Sequence, residues 1–152
     1  MAQSTSEYPP DKSFGFLIRE LHRAINRELA IEIAPSNLTT AQWFFLRSLW
    51  VEDGVFQREL SRSVGLTEPT TVAALKVMER DGLIQRRRDT RDTRKVIVKL
   101  TRKGRSLEKK LLPYVGRINK RILANLSETE AEKLMSTIRK LISRVEEISN
   151  ES

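Results

Sequence analysis

Apolar residues recur every three or four positions along most of this chain, and in one stretch the period drops to two. Phe14, Ile18, Leu21, Ile25 and Leu29 repeat at helical spacing, with Leu17 and Ala24 beside them. They predict a helix over residues 14–34 with one buried face, Arg19, Glu20, Arg23 and Arg27 on the polar side, and Pro35 and Asn37 as its close. Thr39 followed by Gln42 has the spacing of a capping box and predicts a helix over residues 40–50. Trp43, Phe44, Phe45, Leu46, Leu49 and Trp50 leave that helix little polar circumference, which places it centrally. Glu52-Asp53-Gly54 reads as a turn and Val55-Phe56 as a very short strand.

Two short helices are predicted next. Residues 57–64 turn Leu60 and Val64 inward, and Gly65 supplies a sharp end. The second helix covers residues 68–81, with Thr67 as N-cap and Pro69 in the first turn, where a missing N–H costs little. Its inward face carries Thr71, Ala74, Leu75 and Met78, and Gly82 ends it. The period then falls to two: residues 83–86 form one candidate strand, and Val96, Val98 and Leu100 alternate in another. Residues 87–95 between them read as a charged loop with Asp and Thr turn chemistry. Two long helices fill the last third. Thr101 caps the first, which carries Leu107, Leu111, Val115, Ile118 and Ile122, with Pro113 as a kink. Ser127 to Glu130 is a second capping box, ahead of a stripe of Leu134, Ile138, Leu141, Val145 and Ile148.

Charge adds a location to this pattern. The 152 residues carry a net charge of +8, yet residues 86–110 hold 12 basic and 3 acidic residues, leaving 16 basic and 17 acidic elsewhere. One short stretch thus carries the basic character, which points to an anionic polymer or an acidic membrane face. A hydrophobic share of 39% supports a packed core. The absence of cysteine excludes a disulfide scaffold and a cysteine-based zinc site, and a single histidine argues against a structural metal. Residues 1–13 are polar, contain Pro9 and Pro10, and read as a loose tail with no signal-peptide core. No apolar run approaches the roughly 20 residues a membrane span needs, so a cytoplasmic protein is expected. There is no Gly-rich phosphate loop and no nucleophile with a base, so no enzyme is expected.

Helix, sharp turn, helix and a hairpin with a basic tip, in that order, describe a mainly α winged helix-turn-helix with a small β-hairpin and flanking long helices. A helix fits the major groove of DNA, and an arginine-bearing hairpin tip reaches the adjacent minor groove. The chain resembles the MarR family of bacterial and archaeal transcription regulators. The resemblance rests on Leu38-Thr39-Thr40-Ala41-Gln42-Trp43, Gln57-Arg58-Glu59-Leu60, Gly65-Leu66 and Glu68-Pro69-Thr70-Thr71. It continues through Met78-Glu79-Arg80-Asp81-Gly82-Leu83-Ile84, Asp89-Thr90-Arg91-Asp92-Thr93-Arg94 and Leu100-Thr101-Arg102-Lys103-Gly104, and runs from about residue 14 to 148.

The resemblance implies a homodimer, with residues 14–34 and 101–149 interlocking between subunits and the winged lobe over residues 38–100. It implies a pseudo-palindromic operator on double-stranded DNA, and repression released by a small aromatic or anionic effector. On the wing, Arg94 is expected in the minor groove with Arg91 beside it and Asp92 orienting the tip by pairing with an arginine, against an Asp–Arg ladder that merely holds a tight loop. Arg88 and Lys95 are divided between phosphate contact and solvated charge, as are Arg86 and Arg87. On the recognition helix, Glu68, Pro69, Thr70, Ala73, Lys76 and Val77 are expected to be exposed. Many family members have arginine at the position of Ala73; alanine removes that guanine-reading fork, so affinity should lean on the wing. His22, Arg19, Trp43 and Trp50 are candidates to line an effector pocket, against a plain core role for the tryptophans and a structural or solvent-facing role for His22. No cofactor is implied. A winged-helix architectural or RNA-binding protein without ligand response is the alternative.

Overall fold

The computed structural model describes residues 9–151. Residues 1–8 of the expected tail lie outside the described residues. Pro10–Lys12 forms a single 3-10 turn, and the Ser13 hydroxyl accepts the Phe16 N–H at 3.4 Å to start helix α1, Phe14–Ile33. The α1 stripe is only partly buried: Leu29 and Ile33 are covered, but Phe14, Leu17, Ile18 and Leu21 are exposed. Within one chain the first half of the stripe is thus left uncovered, as expected of a helix that interlocks with a second subunit. A 3-10 turn, Ala34–Ser36, and a left-handed Asn37 close the segment.

Helix α2, Thr40–Val51, starts with the reciprocal cap its sequence encodes. The Thr39 N–H donates to Gln42 Oε1 at 2.9 Å, and the Gln42 N–H donates to Thr39 Oγ1 at 3.2 Å. Trp43, Phe45, Leu46 and Leu49 are buried, as expected for the central element. Strand β1, Val55–Phe56, leads directly into α3, Gln57–Val64, and then α4, Glu68–Arg80. The chain returns through β2, Ile84–Arg88, and β3, Val96–Leu100. The sheet is antiparallel with order β1-β3-β2, Val55 facing Val98 and Ile84 facing Leu100.

The two-stranded hairpin is thus the larger part of a three-stranded sheet. Its first strand extends through Arg88, so Arg87 and Arg88 belong to the ladder and the loop is only residues 89–95. Three consecutive arginines offer no apolar alternation, and pairing with β3 decides their conformation.

Helix α5, Arg102–Ile122, runs through Pro113, and α6 spans Glu128–Glu151. The chain divides into two compact units, residues 1–115 and 116–152. In the second, Ser127 and Glu130 form the expected box: the Ser127 N–H donates to Glu130 Oε2 at 2.8 Å and the Glu130 N–H to Ser127 Oγ at 3.3 Å. The Ser127 hydroxyl, donating to Glu130 Oε2 at 2.7 Å, and then the Ser127 N–H hold the Glu130 carboxyl below its ordinary pKa. Among the described residues, no helix is long and apolar enough to cross a membrane.

Candidate nucleic-acid interface

The α3–α4 corner is set by backbone geometry and a short polar chain. Gly65 takes a left-handed φ of 70°, which a side chain would strain, and its N–H reaches Arg62 O at 3.1 Å. The Leu66 N–H then donates to Ser61 O at 3.2 Å. Buried Thr71 Oγ1 donates to Ser61 Oγ at 3.0 Å, and Ser61 Oγ donates to Leu66 O at 2.7 Å. Two hydroxyls thereby lock the two helices while satisfying each other. Thr67 caps α4, accepting the Thr70 N–H at 3.4 Å.

With Thr71, Leu75 and Met78 buried, the opposite side of α4 is open. Glu68, Pro69, Thr70, Ala73, Lys76 and Val77 are all exposed, as the helical period requires. Glu68 is held 3.3 Å from Arg58 of α3, so its charge is partly neutralised at the surface.

At the hairpin tip, the Asp92 carboxylate grips Arg94 from two sides. Arg94 Nε donates to Asp92 Oδ1 at 3.0 Å and Nη2 to Oδ2 at 3.2 Å, while the Arg94 N–H donates to Oδ1 at 3.2 Å. The Arg94 guanidinium lowers the Asp92 pKa, and the Asp92 carboxylate raises that of Arg94. The Arg94 side chain is nonetheless 90% exposed. Arg91 is exposed as well. Arg88 Nη1 donates to Thr93 O at 3.2 Å, bracing the loop from its base, and Lys95 Nζ lies 5.0 Å from the Phe56 ring centre. Arg87 stays exposed, with Nη2 3.5 Å from Gln85 Oε1.

These elements face one open cleft of about 590 Å³. Arg58 and Arg62 of α3, Glu68 and Thr71 of α4, and Asp92, Arg94 and Lys95 of the tip line it. Thr70, Ala73, Lys76 and Arg91 lie outside its lining, on the surrounding surface.

The four effector-pocket candidates are elsewhere. Arg19 and His22 are exposed on α1, with Asn26 Nδ2 2.8 Å from His22 Nε2. Trp43 is buried and meets Trp50 edge to face, ring centres 5.7 Å apart. The half-exposed Trp50 donates its indole N–H to Gly104 O at 3.1 Å. Both tryptophans therefore have packing roles, and none of the four lines the basic cleft. Among the described residues, no cluster of His, Asp and Glu could hold a metal.

A model of the MarR family matches residues 38–96, the helix-turn-helix and most of the hairpin. The chain belongs to the MarR family. The HTH-type transcriptional regulator TtmR of Methylorubrum extorquens is 32% identical over 118 residues, covering 75% of this chain, which spans 60% of TtmR's length. The MepR–DNA complex of S. aureus superposes with a TM-score of 0.76 at 25% identity, covering 87% of this chain and 98% of that one. PcaV of Streptomyces coelicolor, solved with its natural ligand, does so with a TM-score of 0.73 at 26% identity, covering 89% and 95%.

In this MarR-family chain, several basic residues turn out to be engaged internally. Arg86 binds Glu79, Arg105 Nη2 donates to Asp53 Oδ2 at 2.6 Å, and Lys103 Nζ donates to Asp81 O at 2.8 Å. The basic stretch is therefore less available to phosphates than its count implied. Arg58 and Arg62 on α3 were not singled out from sequence. Their only signal is the helical spacing that places them opposite buried Leu60.

Proposed function

We propose that this chain is a sequence-specific, double-stranded DNA-binding transcription regulator, acting as a homodimeric repressor in the cytoplasm and not as an enzyme. The observation that carries the reading is the pairing of an open α4 face with a 90% exposed Arg94 aimed by Asp92. Helix α4 enters the major groove. Thr70 and Lys76 meet phosphates or base edges, and Pro69 and Ala73 meet thymine methyls. Glu68, held by Arg58, tunes the approach. Arg94 and Arg91 enter the minor groove, Asp92 positions Arg94, and Arg88 and Lys95 support the tip near phosphates. The MepR–DNA complex is a relative of the same fold on this ligand class.

Dimerisation follows from the large apolar side chains left exposed on α1 and on α6, among them Phe14, Leu17, Ile142 and Val145. The effector is a small aromatic or anionic molecule; that the PcaV relative binds a natural ligand supports ligand response, not the ligand's class. His22 and Arg19 supply cationic or polar recognition, and Trp50 with Trp43 behind it supplies an aromatic wall. The effector shifts the spacing of the two reading lobes by binding one arrangement more tightly than the other.

Arg94→Ala tests the assignment. In gel shifts at fixed salt on the upstream DNA, it should weaken binding by about tenfold across sequences. Unchanged affinity removes the wing from the interface. A footprint without a defined palindromic site, or preference for RNA, would replace the regulator by an architectural module.

A further inference from the structure

An arginine occupies a strand position built for an apolar residue. On β2, Ile84 is buried, and Arg86, two residues on and therefore on the same face, stands opposite fully buried Val98 of β3. The Arg86 side chain is 19% exposed and needs a partner there. Glu79, the penultimate residue of α4, provides it with both oxygens. Oε2 accepts from Arg86 Nε at 3.1 Å and Nη2 at 2.8 Å, and Oε1 accepts the Arg86 backbone N–H at 3.0 Å. Because β2 is an edge strand, that N–H points away from the ladder and would otherwise need solvent. One carboxylate thus satisfies an inward guanidinium and an edge amide together.

We propose that the Glu79–Arg86 pair is the positioning clamp that fixes the angle of the wing against the recognition helix. This rests on the reading of α4 and the wing as one DNA-reading unit. The connection from α4 to β2 is short and passes through Gly82, whose φ of 72° only a glycine adopts without strain. Thr90 at the tip lies eight residues beyond that pivot. At about 3.3 Å per residue, a swing of ~10° at Gly82 displaces the tip by roughly 4–5 Å, more than a groove contact tolerates. The clamp grips β2 part-way along, where the planar fork of an arginine resists such rotation. Glu79 and Arg86 touch no DNA in this scheme; they decide whether Arg94 does.

The test is a double-mutant cycle on DNA binding, joined to a distance measurement without DNA. In the wild-type background, Arg94→Ala should cost about tenfold in affinity. In Glu79→Ala it should cost under about twofold, because the wing is already out of register. The chain has no cysteine, so Lys76→Cys and Thr90→Cys accept spin labels uniquely. The distance distribution between them should broaden on Glu79→Ala, while circular dichroism reports an intact fold. If Glu79→Ala does not fold, Glu79→Gln, which keeps an acceptor for the Arg86 N–H, takes its place in both measurements. A full tenfold penalty for Arg94→Ala in the folded clamp variant, or an unchanged label distance, overturns the clamp. A harmless Arg94→Ala in the wild type overturns the wing reading alone, and the label distances still decide the clamp.

Discussion

At the junction of α4 and the hairpin, polar groups find partners within the chain; along α1 and α6, large apolar side chains meet solvent. Thr71, Ser61, Glu79 and Arg86 are closed into hydrogen-bonded chains, and Thr101 Oγ1 donates to Gly82 O at 2.6 Å and accepts the Gly104 N–H at 3.0 Å. On α1, Leu17 is 50% exposed, and on α6, Val145 is 62% exposed. Helices α4, α1 and α6 all carry an apolar stripe at helical spacing in sequence. A stripe tells which side of a helix avoids water, but not whether the covering surface comes from the same chain. The DNA-reading lobe is completed within one chain, whereas the faces of α1 and α6 call for a second copy.

The largest test of that contrast is Val145→Asp on α6. If a second copy covers the face, a buried carboxylate should cost the dimer about 3 kcal/mol or more, and sedimentation at micromolar protein should show monomer. A solvated face predicts a change within about 0.5 kcal/mol, and that result breaks the contrast.

Gly104→Ala probes the completed side. A Cβ there would collide with the Leu83 carbonyl oxygen, where the first turn of α5 meets the start of the hairpin. Chemical denaturation should show a loss of about 2–3 kcal/mol, with the dimer intact. Thr71→Val is milder. It keeps the shape but removes the donor to Ser61, for about 1 kcal/mol. A neutral result would mean the α3–α4 corner is held by packing alone.

The smallest effect is a titration. Arg94 holds the Asp92 pKa below its ordinary value, so the tip bonds are complete above the usual aspartate range and are lost only as pH falls through that lowered pKa. The Arg94 amide proton, followed by NMR, should titrate with a midpoint below that of a free aspartate. A midpoint at the ordinary value would show that the tip pairing does not persist in solution.

Much of this fold was legible beforehand. The bounds of α3 agree with the helical period, α4 ends one residue earlier, and the caps at Thr39, Thr67, Thr101 and Ser127 lie where the chain encodes them. These features depend on residues within four positions of each other. The start of the loop and the partner of β1 were not legible, because strand pairing joins Val55 to Val98 across the intervening helices. The Glu79–Arg86 pair escaped for the same reason, since seven residues and a turn separate partners that look like ordinary surface charges.

The basic stretch shows the division most clearly. Sequence alone determined that positive charge concentrates on a hairpin following two short helices and on the start of the helix after it, since composition and period are local properties. Tertiary structure decided which of those charges face outward. Arg94 and Arg91 do, while Arg86, Lys103 and Arg105 are turned to Glu79, Asp81 and Asp53. A paired charge can still meet a ligand where its partner leaves it exposed, as Asp92 leaves Arg94, and that placement is set by the packing of the whole lobe.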